Sequence, residues 1–423
     1  MFVGLNPGCS LGFHVCQMPM DVFRMMTLGV YLASQKLSIM ATVRSQMIRI
    51  VHIISNLDIG GAEVTLTQLV TGMDRGRFHN TVISLTDRGQ LGDRIEASGV
   101  SVDCLGMKRG RPDVSSLPRL VHSLRELKPT IVQSWLYHAD LVGLLAARFL
   151  QSTRLVWNVR CSDMQLKYYP FQTRCVRRML SWCSRIPTAV VTNSEAGKRV
   201  HEGFGYRPRR WAYIPNGFDT NRFRPDPVAA RKLREALDLP KDVRLIALIA
   251  RCDPMKDHAT FLSAAKRVVT ARPDVHFLLA GKYTQLLNSR VAETGLQGHV
   301  HLLGLRHDVD HLFAGVDVAC LSSAFGEGFS NVLGEAMASG VPCVTTDVGD
   351  ARAIVGNTGL VVPPRDPVAL ASAVMNLVDR DVDARVALGT AARARIQAKY
   401  SLSDLISKYQ SLYAEISTEP TAA

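Results

Sequence analysis

The strongest constraint on the fold is a pattern that repeats along the chain from Ile48 onward. A short run of β-branched and other apolar residues is followed by a break at Gly, Asn or Ser, and then by a segment with helical periodicity. This alternation is typical of parallel α/β packing. The predicted strands lie near 48–54, 80–85, 100–105, 130–135, 154–159 and 188–193, and then near 244–250, 275–280, 299–303, 316–321, 341–346 and 359–362.

The two series of strands predict an α/β protein with two Rossmann-like domains that face a central cleft. A chain of 423 residues is long enough for two domains. Between the series lie turn-forming sequences, Ile-Pro-Asn-Gly at 214–217 and Phe-Arg-Pro-Asp-Pro at 223–227, which suit an interdomain connector. We therefore predict an N-terminal domain over 47–214 and a C-terminal domain over 215–396.

The two ends of the chain differ from this pattern. Residues 1–46 are rich in Met, Gly and Pro, hold no lasting period, and have neither an uninterrupted apolar span nor the early positive charge of a signal peptide. We expect them to be a poorly ordered N-terminal extension, with Met47 as a natural first residue. After Ser401 the apolar residues fall on one face of a helix. We expect segment 397–423 to cross back to the N-terminal domain.

The composition favours anionic ligands but does not identify one. The chain has 50 Lys and Arg residues against 37 Asp and Glu residues, and this formal net charge of +13 favours phosphates, nucleic acid or an acidic lipid surface. The nine cysteines form no CxxC pair and show no zinc-site spacing, so we expect buried free thiols in a reducing compartment and no metal. No recognisable motif for reading nucleic acid is present.

The candidate site residues are those that follow the strands, because open parallel sheets bind ligands beyond the carboxyl ends of their strands. Gly60 and Gly61 follow the first strand, and His138 follows the fourth. In the second half, Arg251 and Lys256 follow the strand that ends at Ala250. The sequence Gly-Glu-Gly-Phe-Ser-Asn at 326–331 follows the strand that ends at Leu321.

The segment 325–340 carries the most information. Ser330 is a good helix N-cap, residues 331–338 have helical character, and Gly340 is a natural stop. The first backbone N–H groups of such a helix, including those of Asn331 and Val332, suit a phosphate. Glu335 lies one turn beyond Asn331, where it can accept hydrogen bonds from ribose hydroxyls. The alternative is an ordinary helix with solvated acidic residues.

Other phosphate motifs fit this chain poorly. The sequence Gly326-x-Gly328-x-x-Asn331 lacks the third glycine of the dinucleotide fingerprint and lies in the late second half. Segment 276–283 lacks both the first glycine and the Ser or Thr of a P-loop. Two Asp-Val-Asp triplets, at 308–310 and 381–383, lie in charged helix-like segments and are not assigned as a metal–diphosphate site.

At this point the residues resemble a known family. Glu327-x7-Glu335 within EGFSNVLGEAMASGVPCVTTDVGD, preceded by Arg251-x4-Lys256, by Ile-Pro-Asn-Gly at 214–217 and by Gly60-Gly61, resembles the retaining glycosyltransferases of family 4. The resemblance runs from about 47 to 416. It implies the GT-B architecture, with an N-terminal acceptor domain and a C-terminal domain for the nucleotide-sugar donor.

The resemblance implies a role for each matching residue. Arg251 and Lys256 match the basic pair that holds the donor's diphosphate, and Glu335 matches the acid that binds the nucleotide ribose. The backbone near Asn331 and Val332 matches the helix start beside the phosphates.

Other positions match the surroundings of the donor sugar. Glu327 matches the loop acid at the sugar, together with the backbone of Gly328, Phe329 and Ser330. Gly60 and Gly61 match the loop that meets the phosphate and the acceptor. His138 matches a cleft histidine near the sugar, and a structurally satisfied histidine is the alternative. Asn216 and Gly217 are interpreted as a structural hinge turn.

The implied reaction moves a sugar with retention from a nucleotide donor, which we expect to be UDP-linked, to a saccharide or lipid-linked glycan. Such reactions belong to envelope, lipopolysaccharide or exopolysaccharide biosynthesis. The bases and the helix N–H groups stabilise the departing diphosphate, so no metal is required, and the nucleotide sugar is a co-substrate rather than a cofactor. Glu327 is not assigned as a covalent nucleophile.

On the acceptor side, bases alternate with apolar and aromatic residues over 168–185, as in a helix at a membrane surface. These residues are Tyr168, Tyr169, Arg174, Val176, Arg177, Arg178, Met179, Leu180, Trp182, Cys183 and Arg185. The alternative is a core helix with a basic solvated face. Lys108, Arg109 and Arg111 are candidate acceptor contacts or plain loop residues. We expect a cytoplasmic enzyme, peripheral on the inner face of the cytoplasmic membrane.

Two other functions compete with transfer. A nucleotide-sugar 2-epimerase uses a similar two-domain fold, and product analysis without acceptor separates it from a transferase. A non-catalytic nucleotide-sugar-binding scaffold would lack the basic pair or the acids, and all four residues are present.

Overall fold

The structure is a computed structural model that describes residues 47–108, 115–162 and 171–419. The described residues from Ile48 onward belong to one compact unit. The expectations for residues 1–46, for Arg109 and Arg111, and for Tyr168 and Tyr169 lie outside the described residues.

The N-terminal half forms a parallel sheet of seven strands in the order β3-β2-β1-β4-β5-β6-β7. The strands are β1 (Ile48–Ile54), β2 (Phe78–Ser84), β3 (Ser101–Cys104), β4 (Ile131–Trp135), β5 (Arg154–Val159), β6 (Ala189–Thr192) and β7 (Trp211–Tyr213). The chain order reverses at β1, which pairs with both β2 and β4. The carboxyl ends of β1 and β4 flank the place where such sheets bind ligands.

Helices cover both faces of this sheet. They are α1 (Gly61–Gly72), α2 (Gly89–Ala97), α3 (Ser116–Leu127), α4 (Tyr137–Ala147), α5 (Phe171–Cys183) and α6 (Glu195–Gly203). Two hydrophobic clusters result, one on each side of the strands, because consecutive strand residues point to opposite faces. Ile50 lies in one cluster and Val51 in the other.

The C-terminal half repeats the arrangement with a parallel sheet of six strands in the order β10-β9-β8-β11-β12-β13. The strands are β8 (Arg244–Ile249), β9 (Val275–Ala280), β10 (Val300–Gly304), β11 (Val318–Leu321), β12 (Cys343–Thr346) and β13 (Gly359–Val362). The chain order reverses between β8 and β11. Loops after these two strands therefore meet at the second ligand-binding edge.

The helices of this half are α7 (Pro227–Ala236), α8 (His258–Ala271), α9 (Asn288–Thr294), α10 (Val309–Gly315), α11 (Asn331–Ala338), α12 (Ala351–Val355), α13 (Pro367–Val378), α14 (Val382–Lys399) and α15 (Leu402–Thr418). Several begin at a capping acid followed by Pro. Asp226 Oδ1 accepts a hydrogen bond from the Val228 N–H at 2.9 Å, and Pro227 needs no such partner. No helix of the described residues has both the length and the apolar character to cross a bilayer.

The final helix crosses back to the N-terminal domain, as predicted. Its buried face, which includes Leu405, Tyr409 and Tyr413, lies in the same hydrophobic cluster as Ile50 and Trp135. Polar contacts fix its register there, since the Asn158 side-chain amide donates to the Tyr409 hydroxyl at 2.8 Å. The Tyr413 hydroxyl donates to the Gln133 side chain, a contact of two buried residues.

The predicted fold class of two Rossmann-like α/β domains is confirmed, and all twelve predicted strands are present. The sequence did not predict β7. This edge strand has only three residues, Trp-Ala-Tyr, which is too short to show a period. The boundary placed at 215 falls in the connector between β7 and α7, and it stays a prediction.

Candidate active site

Arg251 and Lys256, the two residues predicted to bind the diphosphate, lie beyond the carboxyl end of β8. Arg251 is exposed, and its Nε donates to Asp253 Oδ2 at 3.1 Å. Lys256 ends a short 3-10 turn, Pro254–Lys256, whose start is capped by Asp253 through the Met255 N–H at 2.9 Å. Asp253 thus caps the turn and also accepts a hydrogen bond from Arg251.

The Lys256 ammonium forms an ion pair with Glu327, which follows β11. Their side chains are only 11% and 10% exposed. The Ser323 hydroxyl donates to the same Glu327 oxygen at 2.7 Å. Burial acts to raise the pKa of Glu327, but the Lys256 charge and the two hydrogen bonds outweigh it, so this pKa lies below its usual value. Glu327 is therefore ionised at neutral pH although it is almost out of water.

The loop that carries Glu327 packs directly on the N-terminal domain. The Ser162 hydroxyl donates to the backbone carbonyl of Glu327. A Cβ at Gly328 would lie 3.0 Å from Ser194 Oγ and 3.2 Å from Asn193 Oδ1. A side chain at residue 328 would require these neighbours to shift by a few tenths of an ångström, so glycine suits the close approach of the loop to the N-terminal domain.

The loop leads into α11, whose bounds agree with the sequence prediction. Ser330 occupies the N-cap position as predicted, but its side chain makes no capping hydrogen bond, so the prediction of a hydroxyl cap is wrong. Ser330 is 4% exposed, and its backbone is extended as is usual at an N-cap, with φ −77° and ψ 115°. The first-turn N–H groups of Asn331 and Val332 are thus not used by this hydroxyl.

Glu335 is the fifth residue of α11, one turn beyond Asn331, and is partly buried. Burial raises the pKa of its carboxyl to about 7, and the charge of Arg222 opposes this shift. The group therefore changes its ionisation near neutral pH, unlike Glu327. Two acids eight residues apart have pKa values shifted in opposite directions because only Glu327 has a lysine partner.

The glycine pair of the N-terminal domain begins α1. Gly60 is the N-cap residue and Gly61 the first helical residue. The side-chain amide of Asn331 lies 3.4 Å from the Gly61 carbonyl, so this loop contacts the start of α11. Glu63, in the first turn of α1, is buried, and that burial raises its pKa.

His138 is the second residue of α4, and a strained turn at Leu136 joins β4 to this helix. Leu136 adopts φ 72° and ψ 158°, a conformation that non-glycine residues rarely take, and its N–H donates to the Asn158 carbonyl at 3.2 Å. Partial desolvation lowers the pKa of the exposed His138 imidazole. Such strain at the end of a strand is common at functional sites.

The structure brings some predicted residues together and leaves others apart. Lys256 and Glu327 are in direct contact, and Asn331 reaches Gly61. Within the described residues, neither Arg251 nor His138 has a hydrogen bond to Glu327. Phe329 contributes its ring to the hydrophobic core, where it stacks on Phe218 with ring centroids 6.1 Å apart. The assigned roles of all these residues stay predictions.

Asn216 connects residues of the N-terminal domain to the loop and helix that follow β11. The sequence did not predict these contacts. Its side-chain nitrogen donates to Asn331 Oδ1 at 2.5 Å and to the Phe329 carbonyl at 3.3 Å. Its side-chain oxygen accepts from Arg160 and from the Asn193 amide, the latter at 3.3 Å. The interpretation of Asn216 as a structural turn residue agrees with these contacts.

Arg160 was also missed, although it follows β5 and the rule for strand ends applies to it. Its guanidinium donates to Thr65 Oγ1 at 3.0 Å and lies 5.4 Å from the Trp135 ring centroid. One of its terminal nitrogens is buried without a hydrogen-bond partner. This places a third base in the region between β1 and the loop of Glu327.

Comparison with known proteins identifies relatives of both halves. Residues 59–222 match the family model described as Glycosyltransferase Family 4, and residues 243–380 match the one described as Glycosyl transferases group 1. The D-inositol 3-phosphate glycosyltransferase of Corynebacterium urealyticum is 29% identical over 55% of this chain and 57% of that protein. The GDP-mannose-dependent alpha-(1-6)-phosphatidylinositol monomannoside mannosyltransferase of Mycobacterium tuberculosis is 30% identical over 65% of this chain and 73% of that protein.

Among solved structures, Anabaena Alr3699/HepE in complex with UDP and glucose has a TM-score of 0.77 and 21% identity. The match covers 87% of this chain and 100% of that one. At this identity the likeness shows the fold.

The buried ion pair predicts a measurable stability effect. Lys256→Met should lower the free energy of unfolding by about 3 kcal/mol, because it leaves the Glu327 carboxylate buried without a counter-charge. The double variant Lys256→Met/Glu327→Gln should recover most of this loss, since no charge then remains buried. Urea unfolding of both variants measures the effect.

The matched control is Arg352→Met, which breaks a surface ion pair with Asp347 in the same domain. Its effect should stay below about 1 kcal/mol. Equal losses in Lys256→Met and in the double variant would show that the ion pair does not determine stability at this position.

Proposed function

Because the chain belongs to the family 4 glycosyltransferases, we propose that it transfers a sugar from a nucleoside-diphosphate donor to a glycan or lipid-linked acceptor with retention of anomeric configuration. The observation that carries this proposal is the meeting of Lys256, Glu327 and the start of α11 at the carboxyl ends of β8 and β11. Glycan or lipid-linked acceptors agree with the name of the mycobacterial relative, which acts on a phosphatidylinositol mannoside.

The chemistry requires stabilisation of a departing diphosphate. Cleavage of the bond between the anomeric carbon and the β-phosphate oxygen leaves additional negative charge on the diphosphate and a cation-like sugar. Arg251, Lys256 and the first N–H groups of α11 supply positive charge and hydrogen-bond donors on one wall. We propose that these groups stabilise the leaving diphosphate without a metal ion, and that the nucleotide sugar is a co-substrate.

Glu327 has a different part in this proposal. Its carboxylate is ionised and can accept hydrogen bonds from hydroxyl groups of the donor sugar. Before the donor arrives, the same carboxylate holds the Lys256 ammonium in place. The acceptor hydroxyl then attacks the anomeric carbon within an ion pair, on the face that the diphosphate leaves, and gives its proton to the departing β-phosphate oxygen. Glu327 is therefore not a covalent nucleophile.

Glu335 fits the nucleotide ribose, since it follows the phosphate-facing turn of α11 on the same helix. The donor base stays a prediction. UDP was expected from the sequence, whereas the relative with 30% identity is named for GDP-mannose. The 2-epimerase and the scaffold remain the competing functions, and both would bind the same nucleotide.

A membrane surface is the proposed location of the acceptor. In α5, Phe171 and Trp182 are 76% and 74% exposed, and Met179 is exposed as well. Arg178 lies over the Trp182 ring at 5.5 Å, and Arg185 follows the helix. A core helix with a basic solvated face would bury these large apolar side chains, whereas α5 buries only Leu180 and Ser181.

A groove beside the end of α5 extends this surface. Its lining residues include Arg185, Arg207, Arg209 and Trp211. Arginines and exposed aromatic rings together suit an anionic lipid surface. We therefore propose a peripheral enzyme on the inner face of the cytoplasmic membrane.

Nucleotide binding is the first test of the function. The nucleotide of the true donor, tested among UDP, GDP and ADP, should stabilise the protein by about 2.7 kcal/mol at a hundred times its dissociation constant, which thermal unfolding detects. Arg251→Ala should lose this stabilisation. Arg272→Ala is the matched control, because Arg272 pairs with Asp274 in the same Arg-x-Asp spacing before the amino end of β9. If no nucleotide shifted the transition, the proposed donor site would be wrong.

The membrane contact is tested separately by co-sedimentation with vesicles. Phosphatidylglycerol vesicles should bind the protein at least about tenfold more tightly than phosphatidylcholine vesicles, because anionic lipid attracts the basic residues. The double variant Phe171→Ser/Trp182→Ser should lose most of this binding. Leu286→Ser is the control, since Leu286 is 76% exposed in the other domain. Equal binding of wild type and the double variant would contradict the proposal.

A further inference from the structure

Asp350 lies between β12 and α12 in the C-terminal domain, yet its carboxylate contacts the N-terminal domain. One oxygen accepts a hydrogen bond from the Glu195 N–H at 2.8 Å, and the other accepts from the Ala196 N–H at 2.9 Å. These are the first two residues of α6. Ser194 caps the next N–H, that of Gly197, at 2.9 Å. Asp350 thus completes the capping of a helix that belongs to the other domain.

The physical strength of this contact comes from charge and burial. The first N–H groups of a helix have no partner within the helix, and they carry the positive end of its dipole. A carboxylate that accepts two of them forms charge-assisted hydrogen bonds. Asp350 is only 5% exposed, so water competes poorly for either partner.

The backbone of the same residue lies on the loop of Glu327. The Asp350 N–H donates to the Gly328 carbonyl at 3.0 Å. Gly349 has φ +64°, and a Cβ there would lie 2.2 Å from the Glu327 carbonyl oxygen. Residues 349–350 therefore pack directly against the backbone of the predicted sugar-contacting loop.

We propose that Asp350 is a positioning residue that couples the placement of the Glu327 loop to the contact between the two domains. Its N–H holds the loop at Gly328, and its carboxylate holds α6 of the opposite domain. This inference rests on the proposed function, since it assigns to Asp350 the alignment of donor and acceptor sides. Asp350 acts through Gly328 rather than through the diphosphate, because no contact joins it to Arg251 or Lys256 in the described residues.

The hydrogen bonds between Asp350 and the start of α6 can be removed by a substitution in either domain. An effect that is the same from both domains reports on the contact between them rather than on the folding of one domain. Asp350→Ala removes both acceptors. Glu195→Pro removes one donor, and proline suits this first helical position because Ser194 before it is extended, with φ −147° and ψ 144°. Glu195→Ala keeps the N–H and controls for the lost side chain. Asp347→Asn controls for charge near Asp350, because Asp347 pairs with Arg352 at the surface.

Two measurements follow on these variants. The rate of nucleotide release from UDP-glucose or GDP-mannose should fall at least about tenfold in Asp350→Ala and Glu195→Pro, while the dissociation constant for UDP or GDP stays within about threefold. Small-angle scattering should show a larger radius of gyration for these two variants. Glu195→Ala and Asp347→Asn should match the wild type in both measurements.

The proposal is overturned if Asp350→Ala keeps the wild-type turnover and radius, or if Glu195→Ala behaves as Glu195→Pro does. It is also overturned if nucleotide affinity falls as far as turnover, since the residue would then belong to donor binding. If the wild type releases no nucleotide from either donor, these two donors are not its substrates, and the scattering data alone decide whether Asp350 joins the domains. Should Asp350→Ala not fold, Glu195→Pro carries the same test.

Discussion

The ionised carboxylate of Glu327 is the constraint around which the cleft is arranged. A carboxylate with so little exposure is stable only with a counter-charge and hydrogen bonds, and Lys256 and Ser323 provide them. Lys256 in turn depends on the turn that Asp253 caps, so the base and the acid fix each other across two loops. In the proposed reaction, a donor diphosphate that enters the cleft finds this lysine already ordered.

The two walls are joined by polar contacts between residues far apart in sequence. Asn216 links the start of α11 to Arg160, and Asp350 links the Glu327 loop to α6. The apolar face of α15 adds a hydrophobic connection to the N-terminal core. The contacts of Asn216, the contacts of Asp350 and the packing of α15 therefore connect the two domains around the predicted donor residues.

Much of the secondary structure could be predicted because the local sequence determines it. The β-branched runs predict the strands, and the residues around Asn331 and Gly340 predict the bounds of α11. Both signals lie within a few residues of the element that they predict. The residues after each strand gave Arg251, Lys256 and Glu327 by position. The strand β7 was missed because three residues show no period.

The tertiary contacts could not be predicted in this way. Asn216 contacts Asn331 across more than 100 residues of sequence, as Asp350 contacts Glu195, and nothing near Asn216 or Asp350 specifies these partners. Local propensity predicts that the Ser330 hydroxyl caps α11, but in the structure it makes no capping hydrogen bond. The opposite pKa shifts of Glu327 and Glu335 also depend on one long-range partner, Lys256.

The most direct test of the central claim compares the dissociation constants of UDP and GDP for wild type, Lys256→Ala and Glu327→Gln. If Glu327 holds Lys256 for the diphosphate, Lys256→Ala should bind at least about tenfold more weakly, a change of about 1.4 kcal/mol. Glu327→Gln should also bind more weakly, but by less than Lys256→Ala does, because the ammonium keeps its charge and loses only the carboxylate that orders it. Wild-type affinity in Glu327→Gln would contradict this account.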